Sequence, residues 1–183
     1  MCWKPILPTN VAEDGVYRLL YFRLFFLVFC SILLQSTVFE VIEIGGVKPD
    51  LVLIWVILMS LLRGSRWGAV FGALSGILLD ILAGRHVGLN ALALFLTGLV
   101  AGQLEGKVFK ENYLVPIGAV FVGTIFHALL MALLGWMAGL HLFVAGWLRS
   151  LILYSAVYNT VLVPFVYGKF YRFCANGMFR AKQ

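Results

Sequence analysis

Six apolar stretches, separated by short polar segments, run along the chain. A helix that crosses a membrane needs about 20 apolar residues, because each residue adds about 1.5 Å to its length. The second stretch has only 12 apolar or small residues after Pro49 and Asp50, so we expect it to be short, tilted or extended. The pattern predicts helices over residues 19–39, 51–62, 67–83, 87–103, 113–139 and 143–167.

The composition places this pattern in a membrane. Hydrophobic residues make up 62% of the 183 residues and charged residues 12%, with a mean hydropathy of +0.99. A soluble domain carries about 25% charged residues, so this chain lacks the polar side chains that a water-facing surface requires. We therefore predict an all-α integral membrane protein with six transmembrane helices in a single domain, residues 1–183.

The basic residues predict the topology. Residues 1–16 lack the regions of a secretory signal, so the first apolar stretch is predicted to be a retained anchor. With residues 1–18 in the cytoplasm, 11 of the 14 lysines and arginines lie on that side, and Lys48, Arg85 and Arg149 lie outside. Six spans return the C-terminus to the cytoplasm as a basic tail, residues 168–183, which anionic lipid would attract. The net charge of +6 is thereby explained without nucleic acid.

Glycines recur every four residues on the third predicted helix. Gly68, Gly72 and Gly76 lead to Asp80 along one face, and small residues at this spacing let two helices approach closely. The neighbouring helix belongs either to this chain or to a partner. Because only residues 84–86 link the third helix to the fourth, contact within the chain is favoured. The fourth helix continues the pattern with Gly98, Gly102 and Gly106.

Polar side chains within the apolar stretches are costly in lipid, so they face other helices or the interface. Most lie toward the predicted outer side, at Gln35, Asp80, Asn90 and Arg149. Asp80 and Arg149 fall at similar depth on different helices, which makes an ion pair between them one hypothesis. The alternative is that each side chain reaches the interface alone by leaning along its helix.

Two further polar residues lie deeper in the predicted helices. His127 is near the middle of the fifth helix, where a proton relay is one interpretation. Since no acid lies at helical spacing from it, a hydrogen-bonded core residue is the interpretation we favour. Asn159, in the inner half of the sixth helix, is predicted to form an interhelical hydrogen bond rather than to bind a ligand.

The residues that enzymes use are scarce. The chain has eight acids and three histidines, and it contains no H-E-x-x-H zinc pair, G-x-S-x-G turn or phosphate-binding Gly-Lys-Ser/Thr loop. Cys2, Cys30 and Cys174 are scattered and show no disulfide or metal-binding spacing. We predict a non-enzyme with no catalytic residue, cofactor or metal.

Three segments, in order along the chain, resemble the MreD family. Residues 45–51, Gly-Gly-Val-Lys-Pro-Asp-Leu, resemble the step that opens that family's short second helix. Residues 63–92 resemble its central hairpin, a glycine-spaced helix ending in an Asp, although Ile81 replaces the Leu that usually follows this Asp. Residues 158–164, Tyr-Asn-Thr-Val-Leu-Val-Pro, resemble the Asn-to-Pro signature of its last span.

The resemblance implies a non-catalytic scaffold of the elongasome, the complex that extends the lateral cell wall, in the bacterial inner membrane. The implied partners are MreC first, then MreB and the glycosyltransferase and transpeptidase that build peptidoglycan, together with membrane lipids. The implied activity is maintenance of rod cell shape. The resemblance also implies a bundle similar to the S-components of energy-coupling-factor importers.

In this interpretation the glycine face and the outer polar residues pack against a partner's membrane helix, most simply that of MreC. The residues singled out for partner binding or structure are Pro49, Asp50, Gly68, Gly72, Gly76, Asp80, Asn90, Arg149 and Asn159. An alternative function is the substrate-binding membrane subunit of a vitamin or small-solute importer. Residues 18–39 contain neither Ala nor Gly, so they lack the small-residue face with which such subunits usually dock their coupling protein.

Overall fold

The computed structural model of the protein describes residues 26–35, 48–84, 88–104, 114–139 and 145–178, with the backbone alone at 83, 145–151 and 169–178. Within these ranges the regular structure is helical and no strand occurs. The helices are α1 Phe26–Gln35, α2 Leu51–Arg63, α3 Ser65–Ala83, α4 Leu89–Ala101, a 3-10 turn Gly102–Leu104, α5 Leu114–Met137 and α6 Ala145–Met178. Each predicted stretch overlaps one of these α-helices, which confirms the all-α prediction for the described residues.

Two helices are long and apolar enough to cross a membrane by length and composition. They cover Ser65–Leu82 and Leu114–Met137. Shorter apolar helices cover Phe26–Gln35, Leu51–Arg63, Leu89–Leu104 and Ile152–Gly168. The count of six membrane-crossing segments and the cytoplasmic position of both termini stay predictions.

α6 continues past its predicted end. The sequence predicted a helix to residue 167 followed by a tail, whereas the helix has 34 residues and passes through Pro164 to Met178. Proline removes one backbone hydrogen bond, but its φ is compatible with a helix, and prolines are tolerated within membrane helices. The predicted helix end was therefore wrong, and residues 168–178 are helical.

α2 forms the centre of the bundle. Of its 13 residues, 10 are buried, and Ile54, Ile57 and Leu58 have 0% exposure. α3, α4, α5 and α6 all contact it, and α1 reaches it through a hydrogen bond of 2.9 Å from Trp55 Nε1 to Ser31 Oγ. A helix that is apolar on every face is stable only when it is enclosed. The stretch that looked too short to cross lipid is the core of the fold.

The glycine face of α3 packs directly on α4. A Cβ added at Gly72 would lie 2.8 Å from the carbonyl carbon of Leu94, and one added at Gly76 would lie 2.5 Å from the backbone nitrogen of Ala91. Real Cβ atoms essentially never come within 3.0 Å of a heavy atom on another helix, so both positions require glycine. Because α4 fills this face, the structure corrects the expectation that a partner's helix packs against Gly72 and Gly76.

Gly68 lies at a point where three helices meet. A Cβ added there would lie 2.6 Å from the Cβ of Ser60 on α2 and 2.9 Å from the carbonyl oxygen of Gly98 on α4. The glycine spacing thus serves contacts within the chain, which is the alternative that the short α3–α4 link favoured.

Candidate functional site

A buried carboxylate closes the turn between α3 and α4. Asp80 is 2% exposed, and its Oδ2 accepts hydrogen bonds from the backbone amides of Gly88 at 2.7 Å and Ala91 at 3.3 Å. Its Oδ1 accepts from the side-chain amide of Asn90 at 2.8 Å and from the backbone amide of Asn90 at 3.3 Å. We call Asp80, Gly88, Asn90 and Ala91 the hairpin cap.

The hairpin cap provides hydrogen-bond acceptors for backbone amides at the start of α4. The first four amides of a helix have no partner within it, and Gly88, the N-cap residue, has no side chain to offer. The carboxylate of Asp80 replaces the missing cap, and its charge is favourable at the positive end of the helix dipole. A carboxylate can accept about four hydrogen bonds, so the four bonds from its own chain use the acceptor positions of Asp80.

The pairing of Asp80 with Arg149 stays a prediction. The side chain of Arg149 lies outside the described residues. Asn90, which the sequence placed only on the same side of the membrane, is the side chain that donates to Asp80.

Side chains from three other helices hold the start of α2. The backbone amide of Asp50 donates to Oδ1 of Asn159 on α6 at 2.8 Å, and Nδ2 of Asn159 donates to Oγ1 of Thr124 on α5 at 3.3 Å. From α1, Nε2 of Gln35 donates to Oδ1 of Asp50 at 3.2 Å and to the carbonyl of Pro49 at 3.5 Å. We call Gln35, Asp50, Thr124 and Asn159 the central polar cluster.

Asp50 is also the N-cap of α2. Its Oδ1 accepts a hydrogen bond from the backbone amide of Leu53 at 3.0 Å, the usual geometry of an aspartate cap. Pro49 beside it is buried. The Pro-Asp step that the sequence singled out therefore starts the central helix and anchors it to its neighbours.

The central polar cluster joins residues that the sequence placed at different depths. Gln35 was predicted toward the outer side and Asn159 in the inner half of its helix, and both contact Asp50. The interhelical hydrogen bond predicted for Asn159 is confirmed.

Thr124 was not predicted, because a threonine in an apolar helix can satisfy its hydroxyl on its own backbone. Its Oγ1 does donate to the carbonyl of Val120 at 2.8 Å, and the same oxygen then accepts from Asn159. Only the weak statistical preference of such residues for helix contacts could have indicated it.

His127 links α5 to α4. It is 8% exposed, and its Nδ1 lies 3.4 Å from Oγ1 of Thr97. Oγ1 of Thr97 also donates to the carbonyl of Ala93 on its own helix at 2.7 Å. The geometry matches the hydrogen-bonded interpretation of His127.

Within the described ranges, no three His, Cys, Asp or Glu side chains lie close enough together to hold a metal ion. The thiol of Cys30 on α1 is exposed. What the arrangement provides is hydrogen bonding between helices, at the start of α2 and at the α3–α4 turn.

Replacing Asn159 with leucine, which has a similar volume, should lower the free energy of unfolding by about 2 kcal/mol, because it leaves the partly buried Asp50 amide without an acceptor. Thermal unfolding in detergent measures this loss. Thr160→Val on the same helix is the matched control, since among the described residues its hydroxyl bonds to its own helix, at Ala156. Equal losses for the two variants would contradict the anchoring role of Asn159.

The comparisons with known proteins agree with the family resemblance. The family model described as rod shape-determining protein MreD matches residues 16–174, which is most of the chain. No curated protein and no solved structure matches the chain. Since the match extends from before the first described helix to near the end of α6, the chain belongs to the MreD family of rod shape-determining membrane proteins.

Proposed function

We propose that this chain is a non-catalytic scaffold of the cell-wall elongation complex in the bacterial inner membrane, where it binds MreC and the associated peptidoglycan synthases. The observation that carries the proposal is the family match over residues 16–174, because it assigns the chain to rod shape determination. Six spans with both termini in the cytoplasm are part of the proposal, supported by the 11 of 14 basic residues on the cytoplasmic side.

The described side chains favour binding over turnover. Within the hairpin cap, and separately within the central polar cluster, the polar atoms form hydrogen bonds with one another. Each of the two clusters joins neighbouring helices. The outward surface is apolar, with Leu74, Val122 and Phe165 exposed by 63%, 64% and 73%. Helices associate in lipid mainly by van der Waals packing, so such surfaces suit a partner's single membrane helix.

The partner's helix meets a surface other than the glycine face of α3, because α4 covers that face. Substitutions at Gly72 or Gly76 then weaken the complex indirectly, by disrupting the bundle. Loss of co-purification by such a variant is therefore evidence of binding at these positions only if the variant is shown to be folded.

Depletion of this chain from the bacterium that encodes it is expected to turn rods into wide or spherical cells, because lateral wall synthesis loses its scaffold. Cell width is measured by microscopy while the protein is followed by immunoblot. A tagged copy should restore the rod shape and co-purify with the MreC of the same cells.

Cells that stay rod-shaped after the chain has become undetectable would contradict the proposal. A growth defect that is cured by a vitamin in the medium, with normal cell shape, would instead support the importer subunit.

A further inference from the structure

Two arginines flank the sharp corner between α2 and α3. Gly64 joins the helices with φ 86°, a conformation that favours glycine, and Arg63 and Arg66 lie on either side of it. The guanidinium of Arg63 lies 5.7 Å from the centre of the Trp67 ring, a cation–π contact. We call Arg63, Gly64, Arg66 and Trp67 the basic corner.

The basic corner has no acidic neighbour among the described residues. The acids within the described ranges are Asp50 and Asp80, which lie at the opposite ends of α2 and α3. α2 alone is 13 residues long, so about 20 Å separates its two ends. Neither carboxylate can neutralise the two guanidinium groups.

The start of α3 adds to the positive potential at this corner. The helix has no side-chain cap and no acid in its first turn, and Arg66 lies in that turn. A cation at a helix N-terminus is electrostatically unfavourable, whereas an anion there is favourable. An anion at the basic corner would thus contact two guanidinium groups and the positive end of a helix dipole.

The surface beyond the corner indicates what kind of anion fits. Arg66 is exposed at one end of a candidate membrane span, Ser65–Leu82. Val70, Leu74 and Ile77 follow it at helical spacing and are 54%, 63% and 43% exposed. A charged group at the head of an exposed apolar stripe matches a molecule with an anionic head and a hydrocarbon tail. Trp67 is a residue type enriched at the level of lipid headgroups.

We propose that the basic corner is a binding site for an anionic phospholipid, whose phosphate contacts Arg63 and Arg66 and whose acyl chain lies along Val70 and Leu74. A guanidinium group can donate two parallel hydrogen bonds to a phosphate, so two arginines on either side of one corner suit a phosphodiester. This site goes beyond the proposed scaffold function and does not depend on it.

The test is native mass spectrometry of the full chain in detergent, titrated with phosphatidylglycerol or phosphatidylcholine. The wild-type chain should retain phosphatidylglycerol in preference to phosphatidylcholine. Arg63→Gln with Arg66→Gln should weaken phosphatidylglycerol binding about 30-fold, and Arg66→Gln alone about fivefold. Lys48→Gln, which removes one exposed charge at the other end of α2, is the matched control and should leave binding unchanged.

Three results would overturn the proposal. The first is unchanged phosphatidylglycerol binding by the double variant. The second is an equal loss in Lys48→Gln, which would show a general effect of charge. The third is displacement of the lipid by inorganic phosphate alone, which would assign the corner to a soluble anion. If the double variant does not fold, as judged by gel filtration, Arg66→Gln decides by the same criteria.

Discussion

Replacing Gly72 with leucine is expected to disrupt the α3–α4 hairpin and lower the free energy of unfolding by about 3 kcal/mol or more. A Cβ at this position would lie 2.8 Å from the carbonyl carbon of Leu94 and 3.2 Å from the backbone nitrogen of Phe95. Backbone atoms of a packed helix cannot rotate away as a side chain can, so α4 has to move as a unit. Membrane yield and thermal unfolding in detergent measure the effect.

Gly118→Leu on α5 is the matched control, because an added Cβ there meets no described residue within 4 Å. The same increase in side-chain volume should leave stability nearly unchanged at this position. A Gly72→Leu protein as stable as Gly118→Leu would show that α4 does not pack against the glycine face. In that case the face would again be open to a partner's helix.

Asp80→Ala is the second change with a large expected effect, a loss of about 3 kcal/mol in the free energy of unfolding. It removes the acceptor for the amides of Gly88, Asn90 and Ala91 at the start of α4. Donors at a partly buried turn that lose their partner carry part of the cost of their lost hydration, and three amides lose it at once. Thermal unfolding of the purified chain measures the loss.

Ser75→Ala, one turn earlier on the same helix, is the control for the Asp80 variant. The Ser75 hydroxyl is buried, and no hydrogen-bond partner for it occurs among the described residues, so its removal should be neutral. If Asp80→Ala proves as mild as Ser75→Ala, the hairpin cap does not stabilise the turn.

Exchanging the two charges distinguishes two roles for Asp80, which are capping of the α4 backbone and an ion pair with Arg149. If backbone capping is the role of Asp80, Asp80→Arg should remain destabilising even when Arg149→Asp is introduced with it, because arginine cannot accept the amide hydrogen bonds. Recovery of stability in the double variant would establish the pairing instead.

Some of the site was readable in the sequence because it depends on local spacing. Glycines at intervals of four occupy one side of a helix wherever that helix is, so close packing along Gly68, Gly72 and Gly76 could be predicted. A polar residue such as Asn159 in an apolar helix needs a partner on another helix, so its interhelical bond could be predicted as well.

The partners themselves could not be predicted, because they depend on how distant segments pack. Asp50 and Asn159 are 109 positions apart, and no periodicity along either helix indicates that one accepts from the other. The same holds for Gln35 with Asp50, and for Thr97 with His127. An apolar stretch without periodicity, such as α2, also gives no sign of whether lipid or protein surrounds it.

Hydropathy and residue spacing along the chain were thus sufficient for the all-α class, the approximate positions of the helices and the close-packing face of α3, and the resemblance of three segments indicated the family. These patterns depend on residues that lie within a few helical turns of one another, so they can be recognised in the sequence. The enclosure of α2, the use of the glycine face by α4 and the anchoring of Asp50 by Asn159 required the packed bundle. Each of these features depends on which helix lies beside which, and many distant contacts determine that arrangement together.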